Sequence, residues 1–222
     1  MGSKVKISNL FWLGRYTERV LTTLRFLMDT YDQVVVAEIG GVRVGVFNAQ
    51  LGAEPRVIHL VAVDHLFDGG SPDSILSNLR YAYDNAIVLR EILTSESLAY
   101  IQMAVTAMEN AAGSSSPMVN LQWVIDDILA FRGSCYESME DGVRNIIRCG
   151  SSVERIDLYI RLEFRLSQVN REVSMLLNLL YKTKLEVNQE SLDHLVDAAL
   201  DSQKPVPEHS DMLNWVDTLF IF

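Results

Sequence analysis

From Ser8 to about Ala37, apolar residues recur at Leu10, Leu13, Leu21, Leu24 and Met28, the spacing of one helix face. Ser8 suits the N-cap of that helix. The period then blurs. "VVVAEIGGVRVGVF" (residues 34–47) sets β-branched runs on either side of Gly40-Gly41. It fits a hairpin with a two-residue turn, or a helix end followed by a loop. A short helix is expected from Val57 to Phe67. "DGGSPDS" breaks the chain and opens the next helix, with Ser71 as cap, Pro72 at the first helical position and Asp73 complementing the positive helix end. That helix runs to about Leu93. Thr94-Ser95-Glu96 caps another that ends near Ala112, and "GSSSP" (Gly113 to Pro117) reads as a linker. A long helix follows from Val119 to about Glu140. Asp141-Gly142 marks a kink or a new cap, and the helix after it reaches about Leu166. Further helices fit Asn170 to Leu185, Gln189 to Asp201 and Asp211 to Phe222. Long helices joined by short loops predict an all-α fold, an antiparallel helical bundle.

One helical stretch occurs twice. In "NLFWLGRYTERVLTTLR" (Asn9 to Arg25) and "NIIRCGSSVERIDLYIR" (Asn145 to Arg161), Asn9, Gly14, Glu18, Arg19 and Arg25 align at one constant offset with Asn145, Gly150, Glu154, Arg155 and Arg161. Apolar positions match as well: Leu10 with Ile146, Val20 with Ile156, Leu24 with Ile160. The repeat predicts two halves, residues 1–112 and 118–222 of a single domain, packed about a pseudo-twofold axis.

Adjacent helical residues do not face each other, so Glu18 and Arg19 need separate partners, as do Glu154 and Arg155. At about 100° per residue, Gly14, Glu18 and Arg25 share one stripe. Gly150, Glu154 and Arg161 share another, joined by Asp157. A glycine inside a helix costs about 1 kcal/mol relative to alanine and marks a close approach to the backbone. A third stretch, "SNLRYAYDNAIVLREIL", places Arg80, Asp84, Ile87 and Glu91 on one face, with Asn85 and Arg90 to its sides. Two readings stay open. The charges form a buried ion-pair network, with Glu18 reaching Arg155 and Glu154 reaching Arg19 across the pseudo-twofold. Alternatively they line a groove in which arginines bind a carboxylate or phosphate.

Composition narrows the function classes. The chain has 222 residues and a formal net charge of −10, which opposes general binding to nucleic acid. No apolar run approaches the ~20 residues of a membrane span, and no signal peptide opens the chain. Cys135 and Cys149 stand in no metal-type spacing and read as buried, reduced thiols of a cytoplasmic protein. None of His59, His65, His194 and His209 follows a glutamate at the di-metal spacing, although Glu190 precedes His194 by one turn. Neither a metal nor a cofactor is expected. Phe11, Trp12, Tyr16 and Trp123 read as core. The aromatic tail from His209 to Phe222 reads as a helix docked on its own bundle or on a partner.

"NLFWLGRYTER", "SILSNLRYAYDNAIVLREIL" and "GSCYESM…IIRCGSSVERID" together resemble the alpha-E family, an all-helical bacterial family named for its ER motif. The resemblance implies an intracellular protein in the company of an ATP-grasp-type peptide or amide ligase and a transglutaminase-like cysteine peptidase. It carries over no established catalytic activity, and leaves open whether the domain is an enzyme. Its family-type positions are Glu18, Arg19, Arg80, Asn85, Arg90, Glu154 and Arg155. The second copy carries Cys149-Gly150-Ser151-Ser152 where the first has Leu13-Gly14-Arg15, so Arg15 has no counterpart. The expected function is an accessory or scaffold protein for such a ligase. The alternatives are an enzyme of amide-bond formation or hydrolysis and a self-associating structural module.

Overall fold

The computed structural model describes residues 4–39, 66–162, 166–183, 185–200 and 207–220, and side chains outside 30–39. Eight helices occur among them: α1 (Lys4–Ile39), α2 (Ile75–Val88), α3 (Ser95–Ala112), α4 (Pro117–Ser138), α5 (Asp141–Arg161), α6 (Leu166–Thr183), α7 (Gln189–Leu200) and α8 (His209–Asp217). The fold is all-α. One isolated bridge joins Val187 to Phe220.

α1 is the spine. It packs most extensively on α5 and next on α2, while α3 pairs with α4 and α5 with α6. Its apolar stripe divides between two clusters. Val20, Leu21 and Leu24 join α2, α3 and α4, whereas Leu10 and Leu13 join Leu89, Ile101, Phe131 and Ile147. A third cluster gathers α5 to α8 around Phe11. The C-terminal aromatics dock on their own bundle: Phe220 lies 4.6 Å from the Phe11 ring and Trp215 stacks on His194 at 5.1 Å.

Several local expectations shift. α1 continues helically through Ile39, so the first arm of the alternative hairpin is helix. Residues 40–47, most of the short helix expected over 57–67, and His59 and His65 lie outside the described residues. The cap of α2 is Ser74 rather than Ser71: its Oγ accepts from the Ser77 N–H at 3.0 Å, and residues 71–73 form turns before it. Thr94 caps α3 as its sequence suggests. Trp123 is not core. It is 60% exposed, beside exposed Met103 and Val119 where α3 meets α4, because it lies on the outer face of α4 opposite Leu121, Val124 and Ile128.

The α1–α5 pair departs from an antiparallel arrangement. Phe11 meets Gly150, Arg15 meets Glu154 and Glu18 meets Arg155, so the contacts ascend together and the two helices run in the same sense. Short loops force neighbours to be antiparallel, but the long stretch between α1 and α5 leaves their direction to side-chain packing.

Candidate functional site

The two helices touch at their glycines. A Cβ on Gly14 would overlap the carbonyl oxygen of Ile147, and one on Gly150 would overlap that of Phe11. Ser151 fixes the crossing by donating to the Gly14 carbonyl at 3.1 Å. This approach is closer than side chains allow, and it draws the charged residues one turn further on into a single buried cluster.

The cluster has two lobes. Glu18, 2% exposed, accepts from Arg155 at Nε (3.1 Å) and Nη2 (2.8 Å), from Arg132 of α4 and from Thr22 (2.7 Å). Glu154, fully buried, accepts from Arg15 (2.6 Å) and Arg19. Outer partners complete both lobes. The Arg155 Nη1 donates to both oxygens of Glu172 in α6 at 3.0 Å, and the Arg19 Nη1 donates to Asn78 of α2 at 3.3 Å. Asn78 in turn donates to the Ser74 carbonyl at 2.7 Å. Arg15 lies over the Trp12 ring, 5.0 Å from its centroid. Five helices, α1, α2, α4, α5 and α6, are thereby tied to one polar core.

Its electrostatics follow from the pairing. Burial pushes the Glu18 carboxyl up, but Arg132 and Arg155 outweigh burial and hold it at about 2. Burial opposes the charges on Arg19 and Arg155, yet their glutamate partners raise both above the ordinary arginine value. Arg132 is the exception. Burial lowers it, and neighbouring Arg155 and Arg25 press the same way against the attraction of Glu18. Burial pushes the Cys135 thiol up to about 12 and that of Cys149 to about 11.

Of the residues that sequence singles out, the structure joins Glu18, Arg19, Glu154 and Arg155. The others stand apart. Arg25 and Arg90 are exposed, Arg80 pairs with Glu109 on the surface at 3.0 Å, Asn85 donates to the Tyr81 carbonyl, and Arg161 holds Asp157 within α5 at 2.8 Å. Arg15, Arg132, Asn78 and Glu172 enter the network instead. Glu172 was legible: it sits in the apolar stripe of Val169, Val173 and Leu176, where a plain bundle carries an apolar residue. Arg132 likewise follows Ile128 by one turn, and Asn78 follows Ile75.

Among the described residues, no cluster of three or more His, Cys, Asp or Glu could hold a metal, and no helix is long and apolar enough to cross a membrane. His194 and Glu190 approach at 4.0 Å on the surface.

An all-helical protein whose two ER helices interlock through a buried ion network is the class this geometry defines. Residues 1–204 match the Alpha-E family, described as a predicted alpha-helical domain with a conserved ER motif, and the chain belongs to that family. No curated protein matches the chain, and no solved structure does.

Proposed function

We propose that this chain is an accessory or scaffold protein for an ATP-grasp-type peptide or amide ligase, acting in the bacterial cytoplasm. The ligase, and a transglutaminase-like protein beside it, are the company that membership of its family suggests. The observation that carries the reading is the state of Glu18, which is buried, ionised and surrounded by Arg155, Arg132 and Thr22. A general base needs a pKa near the working pH and a free approach to substrate. Glu18, at about 2, has neither. Cys135 and Cys149 are buried thiols whose raised pKa opposes nucleophilic use. The ER residues thus hold the helices of this chain together and are spent on that work, which supports an accessory rather than a catalytic part. We read α1 and α5 as copies of one ancestral helix, a view supported by their reciprocal glycine contacts.

Co-purification with an ATP-grasp-type ligase of the same organism tests the proposal, followed by ligation assays with and without this chain. A stable complex and faster ligation are expected. No complex and unchanged ligation would overturn it.

A further inference from the structure

On the far side of Glu18, a cleft of about 260 Å³ opens between α4, α5 and α6. Its walls carry four arginines, Arg132, Arg144, Arg148 and Arg155, against one carboxylate, Glu172. That balance is unusual in a chain of net charge −10. The four are not equally committed. All three nitrogens of Arg155 are engaged, on Glu18 and Glu172. Arg144 is tied to the Tyr136 and Met139 carbonyls and to Asp141, and it lies over the Tyr136 ring at 4.6 Å.

Two guanidinium groups keep donors to spare. Arg132 spends only Nη2, on Glu18, and is crowded by Arg155 and Arg25. Arg148 is exposed and reaches no carboxylate among the described residues; its one hydrogen bond is to the Asn145 side chain at 3.4 Å. The Nε of Arg144, buried without a hydrogen-bond partner, adds a third unspent donor on the same wall. Phe131, Ile147, Met175 and Leu179 give the cleft an apolar part, beside Thr17, Ser151 and Ser152.

We propose that this cleft binds a small organic oxyanion, a carboxylate or phosphate ester on a short apolar body, held between Arg132 and Arg148. Guanidinium forks match both oxyanions bidentately, and the volume suits a group the size of one amino-acid residue rather than a long chain. The apolar walls take the body of the ligand and lower the local dielectric around the ion pair. The proposal goes beyond the accessory role and does not depend on it, since it concerns the chain alone.

Calorimetric titration of the purified chain at low salt tests it, with N-acetyl-leucine, phenyl phosphate and the neutral N-acetyl-leucinamide as probes. Saturable binding of at least one anion is expected, and the tighter of the two assigns the ligand as carboxylate or phosphate. The amide should not bind. Arg148→Gln, at an exposed position, should keep the melting temperature and weaken binding about tenfold, the loss of one charge-assisted fork. Arg90→Gln, remote from the cleft, should change nothing. Failure of both anions to bind, equal binding of the amide, or unchanged affinity in Arg148→Gln would each overturn the proposal.

Discussion

Arg155 grips Glu18 through two nitrogens, Nε at 3.1 Å and Nη2 at 2.8 Å, and turns its third nitrogen to Glu172 at 3.0 Å. Neither residue belongs to the other alone, because Glu18 also accepts from Arg132. The charges alternate along a chain, Arg132 to Glu18 to Arg155 to Glu172, with each inner member shared.

That sharing sets the outcome of a charge swap. Glu18→Arg or Arg155→Glu alone strands buried charge and should cost about 3–5 kcal/mol. In an isolated pair the double swap would restore stability. Here it places an arginine against Arg132 and a glutamate against Glu172. The urea midpoint of the double variant should therefore lie no higher than that of the better single. Recovery to near the parent would show that Glu18 and Arg155 pair in isolation.

The glycine crossing gives a sharper steric prediction. Gly14→Ala and Gly150→Ala each gain helix propensity but push a Cβ into a rigid backbone carbonyl. Overpacking should win, with a net loss of about 1–3 kcal/mol. Gly133, inside α4 and with nothing within 4 Å of its would-be Cβ, is the control. Gly133→Ala should stabilise by up to about 1 kcal/mol. Equal effects at all three positions would remove the close approach as an explanation.

Stability should fall in acid. The folded Glu18 carboxyl titrates at about 2, below its ordinary value of 4.5. A depressed carboxylate stabilises the fold above its unfolded pKa, and that contribution is lost as pH falls through the folded one. The window is therefore pH 4.5 down to 2, and the loss is on the order of 3 kcal/mol. Denaturant midpoints across this range check it. A Glu18→Gln chain should show a shallower decline over the same interval, and an identical slope would assign the acid sensitivity elsewhere.

Thiol chemistry provides a fourth check. Cys135 and Cys149 are buried and have raised pKa values. Iodoacetamide at pH 8 should leave both unmodified in the native chain and label both in urea, as mass spectrometry would read. Rapid native labelling of Cys135, which lines the arginine cleft, would mean that its thiol is open to reagents and would weaken the case against a nucleophile.

The helices themselves were largely written locally. Helical spacing marked α1, and Thr94 announced the start of α3, because a capping hydroxyl acts within its own turn. The start of α2 misled for the same reason. Ser71 and Ser74 both precede plausible first turns, and only the hydrogen bond from Ser77 decides between them. Trp123 misled because a single aromatic residue does not declare which face of α4 is outermost.

The sequence by itself determined that the chain is helical, that a glycine-glutamate-arginine pattern recurs, and that Glu18 and Arg19 could not answer each other. These are consequences of helical period and of side-chain directions on one helix. Tertiary structure alone decided the rest: α1 and α5 run in the same sense, Arg25 and Arg161 fall away from the network, and Arg132 and Glu172 join it. Those outcomes depend on which helices approach, and here the approach is set by two glycines whose missing side chains let the backbones of α1 and α5 meet.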